Sequence, residues 1–176
     1  MRRIFPAALV PMIAATTALT PPATAADATV TIEIPRLKVV EYHRPYVALW
    51  VERPDNSFVA NLAVRYDVKL KNKEGNKWLK DLRMWWRRSG RALDMPVDGI
   101  SGATLPVGTH SLAFEGSGAP LGALPAGDYQ VVIEAAREVG GREVLRVPFA
   151  WPPKVRQRHD VKGSHELGAV TLQLDP

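Results

Sequence analysis

The chain has 176 residues, a formal net charge of +5, five tryptophans and no cysteine. The missing thiols exclude disulfide staples, thiolate metal sites, iron–sulfur clusters and cysteine nucleophiles, so stability must come from packing. The positive charge is too small for a nucleic-acid footprint and reads as a solvated basic face.

Residues 1–25 read as a signal peptide. Arg2 and Arg3 precede an apolar run from Ile4 to Leu19, and Ala23-Thr24-Ala25 supplies the small-x-small pattern of a signal-peptidase site. Cleavage is expected after Ala25, with Ala26 as the alternative. The run is short for a membrane span and is punctuated by Pro6 and Pro11, and no later segment is long and apolar enough to span. The expected product is a soluble periplasmic or secreted protein. Residues 26–176 leave about 150 residues, one domain's worth of chain with enough length to bury a core.

Strand signals fill that domain. Thr29–Ile34, Tyr46–Val51, Phe58–Leu70, Thr109–Phe114, Tyr129–Ala135, Val144–Phe149 and Ala169–Leu174 carry β-rich, largely alternating patterns separated by turn residues. In the third, Leu62, Val64, Tyr66, Val68 and Leu70 are expected on one face. About seven such strands predict an all-β, immunoglobulin-like antiparallel β-sandwich. One segment breaks the pattern: Trp78 to Arg88 has helical spacing, with Trp78, Leu82, Trp85 and Trp86 able to share a face. It predicts a short Trp-rich helix against one end of the sandwich, with Gly90 as its stop. A weak echo joins Pro106-Val107-Gly108-Thr109-His110 to Pro125-Ala126-Gly127-Asp128-Tyr129, each a Pro-x-Gly turn leading into a strand, with a ring expected to pack beneath the turn.

Between the helix and the fourth strand lies Asp98-Gly99-Ile100-Ser101-Gly102-Ala103-Thr104. This heptapeptide resembles the acceptor motif on which bacterial flavin transferases place FMN. In that family the last Thr is joined to the FMN phosphate as a phosphoester, so the resemblance implies covalent FMN on Thr104. Gly99 and Gly102 permit close backbone approach and Ala103 removes bulk beside the hydroxyl. Asp98 and Ser101 are suited to order the segment through side-chain to backbone hydrogen bonds. With Pro106 and Gly108 following, it is expected on an exposed loop. An attached isoalloxazine needs a flat apolar surface, for which Trp85 and Trp86 are the candidates, while Arg87, Arg88 and Arg91 are placed to offset the phosphoester charge. The best-known flavinylated domains have a different fold, so none of their flavin-binding residues carries over.

A second resemblance covers about Tyr46 to Leu172. Leu124-Pro125-Ala126-Gly127-Asp128-Tyr129, followed by Glu134-Ala135-Ala136-Arg137-Glu138 and Gly140-Gly141-Arg142, resembles the Ig-like module of flagellar hook-capping proteins. With Tyr46–Val51, Trp78-Leu79, Trp85-Trp86-Arg87, Gly102-Ala103-Thr104 and Gly168-Ala169-Val170, it is still more similar to a family of predicted periplasmic proteins of unknown function. That resemblance implies a flavin transferase and a PepSY-type membrane reductase as partners. The implied role is an electron carrier between the reductase and an extracytoplasmic acceptor, with iron reduction as one such task, more than a self-sufficient enzyme.

Other chemistry is weaker. Ser101 lacks the Gly-x-Ser-x-Gly elbow of a hydrolase. His43, His110, His159 and His165 are scattered without metal-loop spacing and read as surface residues. Two further readings stay open: a non-catalytic Ig-like binding or assembly module that docks a partner through its loops or an edge strand, and a metal or haem carrier using the histidines.

Overall fold

A computed structural model describes residues 26–176; the expected signal peptide lies outside the described residues. Among the described residues nine strands form two facing sheets: β1 (Asp27–Ile34), β2 (Tyr46–Glu52), β3 (Phe58–Tyr66), β4 (Ser101–Ala103), β5 (Gly108–Phe114), β6 (Gly127–Ala136), β7 (Arg142–Trp151), β8 (Gln157–Lys162) and β9 (Ala169–Asp175). One sheet has the order β5-β1-β9-β8 and the other β4-β3-β2-β6-β7. All pairs are antiparallel except β3 with β4, which is parallel.

The all-β sandwich is thus present, with two strands beyond those the sequence suggested. β4 is three residues long and contains a glycine and an alanine. β8 is Gln-Arg-His-Asp-Val-Lys, polar but for Val161, which packs on the core. Both lie at sheet edges, where charge and short length are ordinary devices against unwanted pairing.

Alternation explains the core. Val30, Ile32 and Ile34 of β1, Val47, Leu49 and Val51 of β2, Ile133 of β6 and Leu172 of β9 meet between the sheets and are all but fully buried. The opposite face of the five-stranded sheet is covered as well, by Leu79, Leu82, Trp85 and Met95 packed on Ala48, Trp50, Val64, Tyr66 and Val132. β2 is therefore buried along its whole length, which is why Tyr-Val-Ala-Leu-Trp-Val runs apolar instead of alternating. In β3 the single expected face does not form. Leu62 is an extra residue at a register shift between Leu49 and Trp50, so Leu62 points between the sheets while Val64 and Tyr66 point to the outer layer.

The Trp-rich segment corrects the sequence reading in two ways. It is 3₁₀ turn over Lys71–Asp81, broken by left-handed Asn72 (φ 54°) and Lys73 (φ 56°), followed by a six-residue helix α1 (Arg83–Arg88). It also covers the outer face of the five-stranded sheet and not an end of the sandwich. Broad apolar area on that face, above all Trp50 and Tyr66, decides where it goes. Two buried carboxylates pin α1. Glu134 accepts hydrogen bonds from the Met84 and Trp85 N–H groups and from Arg142, and Glu52 pairs with Arg88 at 3.3 Å and accepts the Trp50 indole N–H. α1 ends at Arg88, and Gly90 follows because a Cβ there would come within 2.5 Å of the Trp85 ring.

The echoed turns behave alike, as expected: His110 bonds the Pro106 carbonyl at 2.7 Å and the Tyr129 hydroxyl donates to the Pro125 carbonyl at 2.8 Å. At the loop joining β8 to β9, the Glu143 carboxylate accepts backbone N–H bonds from Ser164, His165, Glu166 and Leu167 at 2.7–3.1 Å. Burial raises its pKa, but the four donors outweigh burial and hold the carboxyl below its ordinary 4.5. A carboxyl depressed in the folded state stabilises it above the unfolded pKa, and that contribution is lost as pH falls through the folded value. Glu143→Gln is expected to cost about 1–2 kcal/mol at neutral pH and progressively less under acid. Urea midpoints of the two proteins at neutral and acid pH check this; a loss independent of pH would contradict it.

Candidate functional site

Parallel pairing of β4 with β3 sets the heptapeptide in place. Ser101, Gly102 and Ala103 lie opposite Val64, Arg65 and Tyr66, and the Val64 N–H also reaches the Ile100 carbonyl at 2.7 Å. The run-in is a closed turn. The Ser101 N–H donates to the Val97 carbonyl at 3.0 Å, and the Ser101 hydroxyl oxygen accepts the Val97 N–H at 2.8 Å. Gly99 sits inside this turn at φ +78°, with nothing within 4 Å of a Cβ built on it. Its requirement is therefore conformational and not spatial. Gly102 is the reverse: a Cβ there would come within 1.8 Å of Arg65 Nη1, so the missing side chain is what lets the guanidinium lie across the strand. Asp98 is exposed and makes no side-chain hydrogen bond among the described residues, so Ser101 alone does the ordering expected of the pair.

Thr104 follows directly. Ser101–Ala103 form an edge strand and not the exposed loop expected, because their backbone finds partners on β3, whereas Asp98 and Gly99 stay exposed in the turn before it. Ala103 is exposed, but Thr104 is only 9% exposed, and its hydroxyl donates to Asp67 Oδ1 at a long 3.4 Å. Thr104 borders two hollows. One is a cleft of about 370 Å³ at the end of the five-stranded sheet, whose walls include Tyr42, Arg44, Tyr46, Asp67 and Trp78. The other, about 260 Å³, is bounded by Arg44, Tyr66, Lys69 and Ala103.

The charges around the cleft are mixed. His43 contacts Glu41 at 2.9 Å and Glu138 at 3.6 Å, and Asp81 lies on the same wall. Burial pushes the Tyr46 phenol up to about 12, so it stays protonated, donating to the Gly75 carbonyl at 3.3 Å. Arg65 is half-buried, burial lowers its pKa from the ordinary value, and it has no ion-pair partner among the described residues. A guanidinium remains charged in such a setting, so Arg65 is an unneutralised cation packed over Gly102, two residues before Thr104. Among the described residues no group of three or more His, Asp or Glu side chains is placed to hold a metal ion.

The tryptophans divide sharply. Trp85 is fully buried, donates its indole N–H to Asn61 Oδ1 at 2.8 Å and leans on Trp86 at 6.3 Å between ring centres. Neither Trp85 nor Trp86 lines the cleft; Trp78 does. The helical spacing that put Trp78 and Trp85 on one face fails because 3₁₀ turn gives way to α-helix at Leu82 (ψ 68°). Tyr42 and Asp67 carried no motif, and only the fold brings them beside Thr104. Arg87 and Arg88 border a separate hollow with Met84.

Among known families, the one described as "Predicted periplasmic protein (DUF2271)" has a model that matches residues 27–169. No curated protein and no solved structure matches the chain. No helix among the described residues is long and apolar enough to cross a membrane.

Proposed function

Since the chain belongs to the DUF2271 family of predicted periplasmic proteins, we propose that it is an exported flavoprotein carrying FMN as a phosphoester on Thr104 and relaying electrons outside the cytoplasm. The observation that carries this reading is that a heptapeptide resembling a flavin-transferase acceptor places its last residue, Thr104, on the wall of a cleft with aromatic walls and mixed charge. Against the carboxylates Asp67, Asp81 and Glu138 of the cleft wall stand two cations: Arg44, which borders both hollows, and Arg65, which packs over Gly102 with no ion-pair partner among the described residues. Together they offset the phosphate charge beside Asp67.

Attachment would exchange a phosphoanhydride bond of FAD for a phosphate ester on the chain. The Thr104 oxygen bonds to the FMN phosphorus of FAD, the pyrophosphate bond breaks, AMP leaves, and the hydroxyl proton passes to a base of the transferase. Asp67 orients the hydroxyl beforehand. Access requires the edge to lift, and β4 is suited to that: three residues, at the sheet margin, with Ala103 exposed. Once bound, FMN supplies electron acceptance and release; the chain supplies the tether, the charge balance and the walls. The partners in this reading are a flavin transferase for loading and a PepSY-type membrane reductase as donor.

Co-expression with a flavin transferase, FAD and Mg²⁺ tests it. Intact mass is expected to rise by one FMN less one water, giving a yellow protein, with no rise in Thr104→Ala. An unmodified wild-type chain, under conditions that label an established acceptor, overturns the reading.

A further inference from the structure

We infer that the cleft beside Thr104 is the seat of the isoalloxazine ring and that Trp78, aided by Tyr42, is the surface the ring lies on. This rests on attachment at Thr104. Trp50 and Trp85 are fully buried and Trp151 is 6% exposed, whereas Trp78 is 41% exposed. A tryptophan with so much apolar face in water is the exception, and such faces mark binding sites when they cluster. Here they do cluster. Tyr42, Leu70 and Trp78 are all exposed large hydrophobics, and all three line the larger of the two hollows that Thr104 borders.

The backbone fixes this arrangement. Leu79 is 1% exposed, anchored in the layer over the five-stranded sheet, which holds its neighbour Trp78 at the rim. Gly75 brings the same segment against the end of β3: a Cβ there would come within 2.2 Å of the Asp67 carbonyl. The Tyr46 hydroxyl clamps the segment to β2 through the Gly75 carbonyl. Asp67, the residue so crowded, is the one whose carboxylate accepts the Thr104 hydroxyl. The aromatic wall and the attachment point are therefore held by the same few residues. A flat apolar ring with polar edges suits the cleft, because His43, Arg44 and Asp81 stand on its rim to meet ring nitrogens and oxygens.

The test uses the full exported chain, loaded as above, in wild-type, Trp78→Ala, Trp78→Phe and Trp86→Ala forms. Intact mass reports attachment, and flavin emission per attached flavin reports stacking, since an aromatic face against the ring quenches it. Trp78→Ala is expected to keep full label and to emit several-fold more brightly than wild type, with Trp78→Phe between them and Trp86→Ala unchanged. Full label with equal emission in all four overturns the ring seat while leaving attachment standing. Riboflavin titrated into unloaded Thr104→Ala separates the two claims from the other side. Quenching of tryptophan emission that Trp78→Ala removes supports the seat even if no chain is labelled, and absence of quenching in an unlabelled protein overturns both.

Discussion

Glu134→Leu is expected to lower stability by about 3–5 kcal/mol, the range for breaking a buried charge arrangement by removing one member. Glu134 is fully buried on β6, and its two oxygens accept the Met84 N–H (3.0 and 3.1 Å), the Trp85 N–H (2.8 Å) and Arg142 Nη1 (2.8 Å). Leucine fills the volume and answers none of these donors. Two are backbone N–H groups at the start of α1, which has no side-chain cap of its own, so they have no intrahelical alternative. Arg142 is 38% exposed and turns to solvent more cheaply, which places the loss toward the lower end of that range. The damage spreads to the site, because α1 holds down the segment that carries Trp78. Chemical denaturation with tryptophan emission measures this, and Glu134→Gln, which keeps one acceptor oxygen, is expected to lose clearly less. Equal, small losses in both would mean that the covering layer stands on its apolar contacts alone.

Thr104→Val is expected to abolish flavin attachment while leaving the fold intact. The two side chains have nearly the same shape, and the lost hydrogen bond to Asp67 is long at 3.4 Å, so stability changes by about 1 kcal/mol or less. Attachment is expected to behave differently, because in the proposed linkage the deleted oxygen is the atom that bonds to phosphorus, so the loss is complete. Ser101 does not substitute: its hydroxyl oxygen is already engaged by the Val97 N–H at 2.8 Å inside the turn. Thr104→Ser restores the oxygen and is expected to restore labelling. Flavin per chain, measured by absorbance and mass across wild type, Val and Ser, checks this. Residual label on Thr104→Val would place the linkage elsewhere.

The sandwich was legible where strands bury one face. Thr29–Ile34 alternates because Ile32 and Ile34 pack inward between polar neighbours, and β1 is found there. It was illegible where a strand carries little apolar pattern: β4 has no apolar side chain longer than alanine, and β8 is a polar edge whose one apolar residue is Val161. The Trp-rich segment shows a third limit. Its composition predicts a helix, but the fold of Trp78–Arg88 is set by the apolar outer face of the five-stranded sheet, which no local pattern reveals. That layer buries Trp85 and leaves Trp78 at the cleft, so the two do not share the face the spacing suggested. The resemblance of the heptapeptide to an acceptor motif could be read because its residues are contiguous. The surroundings of the heptapeptide could not, since Tyr42, Arg65 and Asp67 reach it only through sheet pairing and the fold around it.

Peptide mapping of the loaded wild-type protein tests the central claim most directly. Proteolysis followed by mass spectrometry is expected to find one FMN-bearing peptide containing 98–104, with fragmentation placing the phosphoester on Thr104. A loaded protein whose flavin maps to any other residue, or a chain that stays unlabelled beside an efficiently labelled acceptor, would contradict it.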